Sequence, residues 1–338
     1  MPDTDAKPRI VVKSAISDAL LADLRDIAPD YRIDRYPDSV PNSIWAEAEI
    51  VFTGRILPTP EQAPRLRWVQ LASAGFDWAL KTPLGQAADI DLTSTSGMHA
   101  TPIAEYCLGM MLALNLKLPL MLDFQRKGEW PKRPSPFGPA PLRGKTVGIV
   151  GYGSIGRELA RQCDALGMTV LAAKRDVKKL EMRDGWAEPG TGDPTGDLPA
   201  RVYPGQAVAT MAKDCDVLVI TTPLTPDTRH LIDLRVLEAM KSTAFLINIA
   251  RGDVVDEVAL IHMLQTGGIA GAALDVFSEE PLPNTSPLWA LPNVIVSPHI
   301  SGDLPDYFER AGRVFAENLR RYVEKRPLIN LLDRAKGY

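Results

Sequence analysis

Short apolar runs recur along this chain, and most are separated by stretches with helical spacing. In the N-terminal part, Arg9–Lys13, Ala48–Phe52 and Trp68–Ala72 read as strands, and Ser17–Ile27 reads as a capped amphipathic helix. From Lys145 onward the alternation is clearer. Lys145–Val150, Thr169–Ala173, Asp216–Ile220, Ala244–Ile249, Ala270–Leu274 and Val294–Val296 are short and apolar on both faces. Such runs fit strands of a parallel sheet covered by helices on both sides, so the expected class is α/β. The last helical segment, Leu304–Glu324, is expected to pack back on the first part of the chain. Residues 182–205 are rich in Gly, Pro and Asp and read as a long loop.

The run ending at Val150 opens into Gly151-Tyr-Gly153-Ser154-Ile155-Gly156, and a helical pattern follows. Strand, glycine turn and helix in that order mark a dinucleotide-binding unit. Gly151 permits the tight turn, Gly153 lets backbone approach a pyrophosphate, and Gly156 lets the helix pack close to the strand. The first helical N–H groups, at Ser154 and Ile155, then face the phosphates with the positive end of the helix dipole. The same glycines also occur in turns without a ligand. The expected division is a Rossmann-type dinucleotide-binding domain over 102–303 and a smaller α/β domain formed by 1–101 and 304–338.

Length and charge narrow the reading further. A chain of 338 residues can bury two cores, and a net charge of -4 offers no electrostatic footprint for nucleic acid. Cys107, Cys163 and Cys215 lie apart in apolar contexts without metal-ligand spacing, so buried, reduced thiols in a cytoplasmic protein are expected, and no metal. The N-terminus is polar and reads as no signal sequence. Ile103–Leu122 is the most apolar stretch, but Glu105, Lys117 and Pro119 interrupt it. It reads as a long buried or interfacial helix rather than a membrane span.

Parallel α/β sheets bind ligands outside the carboxyl ends of their strands. Three segments lie there. Asn248-Ile249-Ala250-Arg251-Gly252 can aim a fixed guanidinium fork at a carboxylate, or can be a surface arginine beside a turn glycine. Asp275-Val-Phe-Ser-Glu279-Glu280-Pro-Leu brings three acids together, a spacing shared by solvated acidic loops. In Ser297-Pro298-His299 a histidine follows a strand and a proline, placed for general acid–base work or for a structural hydrogen bond. A fourth segment, Ser73-Ala74-Gly75, ends an N-terminal strand in small residues and can turn its N–H groups to an anion.

Taken together and in this order, these motifs resemble the D-isomer-specific 2-hydroxyacid dehydrogenases. The resemblance implies a flavodoxin-like substrate domain beside the Rossmann-type one. It implies a catalytic triad of Arg251, Glu280 and His299, and a nicotinamide-side contact at Asp275. It places the substrate carboxylate on the backbone of Ser73, Ala74 and Gly75, together with Arg251 and His299. Thr222, Pro223, Thr228, Ile249, Ala250 and Gly302 fall at positions that line the cofactor in the family. The implied reaction interconverts a small 2-keto acid and its D-2-hydroxy acid by hydride transfer, with His299 as proton donor. A homodimer is implied through the cofactor domain and the helix near 102–122, with Trp130 of a partner lining the pocket. Two rivals share the motifs, a cofactor-sensing corepressor and D-3-phosphoglycerate dehydrogenase. The first wants a docking tail and the second a basic site for a substrate phosphate.

Two departures bear on specificity. His99 stands where the family often has asparagine, and Ser301-Gly302-Asp303-Leu304-Pro305 replaces the usual small residues and threonine. Cofactor choice is read at Leu171-Ala-Ala-Lys174-Arg175-Asp176. Lys174 stands where NAD-binding members carry an aspartate for the ribose hydroxyls. A lysine and an arginine together suit a 2′-phosphate, so NADP is expected, with NAD and a merely solvated basic turn as the alternative.

Overall fold

The computed structural model describes residues 7–76, 78–132, 137–138, 140–182 and 185–334. The chain forms two units. One holds Met1–Met98, Asp184–Glu188 and Leu304–Tyr338, and the other holds His99–Arg183 and Pro189–Asp303. The segment Asp184–Glu188 therefore belongs with the N-terminal unit, although it lies within the stretch 102–303 that the sequence reads as one piece.

In the first unit, β1 (Arg9–Lys13), β2 (Arg32–Arg35), β3 (Ala48–Thr53), β4 (Trp68–Leu71) and β5 (Asp91–Thr93) form a parallel sheet in the order β2-β1-β3-β4-β5. That is the flavodoxin-like order. Ile10, Val11 and Val12 are all fully buried, as a strand covered on both faces requires. The helix Asp18–Ile27 starts where Ser17 Oγ accepts the Leu20 N–H at 3.1 Å, and it buries Leu20, Leu21 and Leu24. The helix Tyr307–Val323 covers the same core with Ala311, Val314, Phe315 and Leu319. Phe315 stacks on Phe52 at 4.9 Å between ring centres. Asn318 is fully buried; its amide donates to Gln70 Oε1 at 2.9 Å and accepts the Ile329 N–H at 2.8 Å. A buried amide so paired fixes the C-terminal segment to the sheet.

In the second unit, seven parallel strands run in the order β12-β11-β10-β9-β6-β7-β8. They are β6 (Thr146–Val150), β7 (Thr169–Lys174), β8 (Arg201–Pro204), β9 (Val217–Ile220), β10 (Phe245–Asn248), β11 (Gly271–Leu274) and β12 (Val294–Val296). Strand order reverses between β6 and β9, the switch point of a Rossmann-type sheet. Strand β8 corrects the reading of 182–205 as loop throughout. It is an edge strand with only Tyr203 buried, so it carries little apolar signal, and Pro204 ends it. The expected long helix near 102–122 is also corrected. Ala100–Asn115 and Leu118–Lys127 are two helices meeting at 60°, with Lys117 between them at φ +55°. No single helix among the described residues is long and apolar enough to cross a membrane. Ala100–Asn115 instead buries Ala104, Cys107 and Met111 against Leu159, Ala160 and Cys163 of the helix Ser154–Ala165.

Candidate active site

The glycine turn at the end of β6 is shaped by close approach. Gly151 holds φ +106°, and a Cβ there would lie 2.8 Å from the Thr222 backbone nitrogen. A Cβ on Gly156 would lie 2.3 Å from the Gly151 carbonyl oxygen, so the helix can sit on the turn only without a side chain. Gly153 differs: nothing lies within 4 Å of the position its Cβ would take. Its lack of a side chain serves open space rather than packing, which is what backbone approach to a pyrophosphate needs. Thr221 Oγ1 donates to the Gly151 carbonyl at 2.6 Å and joins the ends of β6 and β9. The helix Ser154–Ala165 begins at Gly153 with no side-chain cap. Its first N–H groups, at Ser154 and Ile155, are thus presented to an anion. These residues fit a dinucleotide.

The motifs after β10, β11 and β12 lock into one another. Asn248 closes the first: its amide donates to the Arg251 carbonyl at 3.1 Å and accepts the Ala250 N–H at 3.1 Å. Ile249 and Ala250 are buried, and Arg251 is half-buried with Nη1 donating to the Ala250 carbonyl at 2.7 Å. Gly252 then passes under the second motif. A Cβ there would sit 1.9 Å from the Phe277 carbonyl carbon and 2.2 Å from the Ser278 nitrogen. In the second motif Glu280 Oε1 accepts the Phe277 N–H at 3.1 Å, and Glu280 Oε2 lies 2.8 Å from His299 Nδ1. Both side chains of that pair are near two-fifths exposed, 38% for the acid and 45% for the histidine. The histidine's other nitrogen, Nε2, is the one free of this pair to meet a reactant.

Asp275 is fully buried, and its carboxylate accepts Ser297 Oγ–H at 2.6 Å and the N–H groups of Ile300 and Ser301, each at 2.9 Å. It therefore anchors the loop that carries His299. The nicotinamide-side contact implied by the resemblance would have to use the one acceptor position that remains. Gly302 follows in the same loop, and its Cβ position lies 3.4 Å from His99 Cδ2. His99 is buried just before the helix Ala100–Asn115.

At the end of β7, Lys174 is half-buried, and burial together with the nearby Arg157 charge moves it below the usual lysine range, Asp176 opposing. Arg175 is exposed beside it, and Asp176 accepts the Lys178 N–H at 3.0 Å. Thr228 folds the segment after β9, its hydroxyl donating to the Pro223 carbonyl at 2.6 Å. In the first unit, Ser73, Ala74 and Gly75 follow β4, and Ser73 Oγ donates to the Gly75 carbonyl at 2.7 Å.

Three residues escaped the sequence reading although they sit in or next to the glycine motif. Tyr152 donates to Asp193 Oδ2 at 2.6 Å; burial, with the Asp193 bond adding to it, pushes its phenol well above the ordinary range. Arg157 is buried, lies 4.9 Å from the Tyr152 ring centre, and donates to the carbonyls of Asp193 and Leu180. Glu158 is fully buried and accepts the Gly192 N–H at 2.7 Å. Polar residues inside an otherwise amphipathic helix were the available signal. They hold the loop between β7 and β8 on the helix Ser154–Ala165 and the glycine turn before it.

The fold and its strand-end motifs are those of a nucleotide-dependent oxidoreductase, and comparison with known proteins gives the family. A family profile described as "D-isomer specific 2-hydroxyacid dehydrogenase, NAD binding domain" matches residues 108–301. Glyoxylate reductase of Thermofilum pendens is 36% identical over 77% of this chain and 72% of its own length. A D-isomer specific 2-hydroxyacid dehydrogenase family protein from Aeromonas salmonicida superposes with a TM-score of 0.78 at 31% identity, covering 97% of this chain and 99% of that one. The Xanthobacter autotrophicus enzyme of the same family, solved with NADPH and MES, gives 0.76 at 29% identity over 98% of this chain and 100% of its own. The chain belongs to the D-isomer-specific 2-hydroxyacid dehydrogenase family. It is an NAD(P)-dependent oxidoreductase acting on CH–OH groups, interconverting a keto acid and a hydroxy acid.

Proposed function

We propose that this enzyme reduces 2-keto acids of the size of glyoxylate or hydroxypyruvate to the D-2-hydroxy acid and prefers NADPH. The observation that carries the reading is the 2.8 Å pair of His299 Nδ1 and Glu280 Oε2, held on the same sheet edge as the Gly151–Gly156 turn. The curated glyoxylate reductase of Thermofilum pendens supports the substrate size. Lys174 and Arg175 at the end of β7, and the NADPH carried by the Xanthobacter relative, support the cofactor preference.

A nicotinamide cofactor, when bound, would supply the hydride for the carbonyl carbon. His299 gives the proton that completes the alcohol and takes it back in the reverse direction. Glu280 fixes the ring through Nδ1, which leaves Nε2 as the donor atom. Arg251 polarises the carbonyl oxygen and orients the acid, a fixed cation that needs no rearrangement as charge develops. The backbone at Ser73, Ala74 and Gly75 of the first unit would offer its N–H groups to a carboxylate. Gly151, Gly153, Ser154, Ile155 and Gly156 would hold the pyrophosphate, and Thr222, Pro223, Thr228, Ile249, Ala250, Asp275 and Gly302 would line the rest of the cofactor.

The working form is a homodimer in this reading. Leu112, Leu116, Leu118 and Leu122 on the two helices around Lys117 are each about two-fifths exposed, and Trp130 beyond them is 95% exposed. Such apolar side chains in one stretch suit a second copy of the chain. Three buried free thiols suit a reducing, cytoplasmic setting.

The test is a comparison of kcat/KM for NADPH and NADH with glyoxylate, hydroxypyruvate and larger 2-keto acids. The expected result is turnover of the small acids with NADPH ahead. No turnover of any 2-keto acid overturns the reaction, and a clear lead for NADH overturns the cofactor assignment.

A further inference from the structure

His299 occupies φ +54°, the left-handed region, which a non-glycine residue holds only when its surroundings over-determine it. Those surroundings are countable. The loop leaves β12 with the Ser297 N–H donating to the Leu274 carbonyl at 3.0 Å. It then turns around the Asp275 carboxylate, which takes Ser297 Oγ–H on one side of His299 and the Ile300 and Ser301 N–H groups on the other. His299 is thus the tip of a loop whose two feet stand on one buried carboxylate.

One further bond reaches this arrangement from a different element. Tyr106, on the helix Ala100–Asn115, has its phenol oxygen 2.5 Å from Ser297 Oγ. The direction of that bond follows from chemistry. Serine has one hydroxyl proton, and Asp275, an acceptor only, already takes it. The proton between Tyr106 and Ser297 must therefore come from the tyrosine. The chain of donation runs Tyr106 Oη–H to Ser297 Oγ–H to Asp275 Oδ1, each bond polarising the next in a buried setting. Burial pushes the Tyr106 phenol up to about 12, with the Ser297 bond opposing and the Asp275 charge adding, so it remains a donor over the working pH range.

We infer that Tyr106 is a positioning residue for His299: through Ser297 and Asp275 its hydroxyl sets the loop that aims the proton donor. This rests on the catalytic reading of His299 given above. Among the described residues the Tyr106 hydroxyl bonds Ser297 and neither Glu280 nor the glycine turn, so it is expected to act on the chemical step and not on binding.

The experiment compares wild type, Tyr106→Phe, Ser297→Ala, His299→Asn and the double variant Tyr106→Phe/His299→Asn in keto-acid reduction, with thermal melting alongside. Tyr106→Phe is expected to lower kcat about tenfold, less than the roughly hundredfold of a 1 Å misplacement, because the Asp275 bonds remain. KM for keto acid and cofactor should stay within about twofold, since Asp275 keeps its bonds to Ser297, Ile300 and Ser301 and no side chain proposed to bind either reactant is replaced. In the His299→Asn background the same substitution should change kcat by less than about twofold, because a residue that acts through His299 has nothing left to position. A merely structural tyrosine would cost the same factor in both backgrounds, and that result overturns the inference. So does a Tyr106→Phe enzyme with unchanged kcat. Should Tyr106→Phe melt below the assay temperature, Ser297→Ala removes the link from its other end together with one Asp275 bond, so it is expected to lower kcat at least about tenfold and to lose that effect when combined with His299→Asn. Near-normal turnover in His299→Asn overturns the catalytic reading and this inference with it; a large loss there beside an unchanged Tyr106→Phe overturns the inference alone.

Discussion

Adding one methyl group at Gly252 should disable this enzyme without touching a reactant. The built Cβ would lie 1.9 Å from the Phe277 carbonyl carbon, 2.1 Å from its oxygen and 2.2 Å from the Ser278 nitrogen. All three are backbone atoms, so no rotamer change relieves the overlap. Ordinary contact begins near 3.4 Å, so the two strand-end segments must part by about 1.5 Å. One segment carries Arg251 and the other carries Glu280, whose Oε1 is tied to the Phe277 N–H. The methyl group therefore separates Arg251, proposed to polarise the carbonyl, from the histidine's partner.

Misplacement by 1 Å can cost roughly a hundredfold in rate, and the overlap itself about 1–3 kcal/mol in stability. Gly252→Ala is expected to lose at least about a hundredfold in kcat/KM while remaining folded at room temperature. The assay follows consumption of NADPH with glyoxylate, beside a melting curve and a cofactor titration by fluorescence. A Gly252→Ala enzyme within about threefold of wild-type kcat/KM would refute the claim that the two motifs are coupled through this contact.

Gly153→Ala should give the opposite signature, unchanged melting but cofactor affinity weakened about tenfold or more, because its Cβ meets open space and not protein; tight NADPH binding by this variant would remove Gly153 from the pyrophosphate site. His299→Asn and Arg251→Ala should each cut keto-acid reduction by about 10²–10⁴ with folding intact, read from kcat and circular dichroism, and near-normal turnover in either removes its assigned role. Lys174→Asp combined with Arg175→Ala should reverse the ratio of kcat/KM for NADPH over NADH, and an unaltered ratio would place 2′-phosphate recognition elsewhere. Asp193→Ala should destabilise the fold by on the order of 3 kcal/mol in denaturant unfolding, because Tyr152 and the N–H groups of Gly196, Asp197 and Leu198 lose their acceptor; a change under about 0.5 kcal/mol would mean water replaces the carboxylate.

The central strands were legible because each is apolar on both faces, as Val217–Ile220 shows with every residue buried. The strands that escaped are edges. Arg32–Arg35 buries only Ile33, Asp91–Thr93 is three residues long, and Arg201–Pro204 lies in a segment dominated by turn formers. The break at Lys117 was missed for a different reason: Pro119 marks the first turn of the helix Leu118–Lys127, but the apolar pattern continues on both sides of it and reads as one helix. The candidate site was legible as motifs, since glycines and a strand-end histidine announce themselves. What sequence could not give was who holds whom. Tyr106 and Ser297 are 191 positions apart, and Tyr152 and Asp193 are 41 apart, so neither pairing leaves a local pattern.

The way the motifs are joined explains why they are separate in sequence and single in space. Neighbours in a parallel sheet are connected by a helix, so groups that meet at one edge are necessarily far apart along the chain. Here the edges of β10, β11 and β12 are stitched sideways in sheet order. The Asp275 N–H donates to the Asn248 carbonyl at 3.0 Å, the Ser297 N–H to the Leu274 carbonyl at 3.0 Å, and the Ile300 and Ser301 N–H groups to the Asp275 carboxylate. Arg251, Glu280 and His299 thus stand on three consecutive strand ends whose relative heights are fixed by backbone bonds. A side-chain substitution at any one of them can remove a chemical group, and at Glu280 the partner of the His299 ring, but leaves the three strand ends at their heights. A change in the stitching, at Gly252 or Asp275, moves two of them at once, which is why a residue with no reactive group can matter as much to turnover as one that carries the proton.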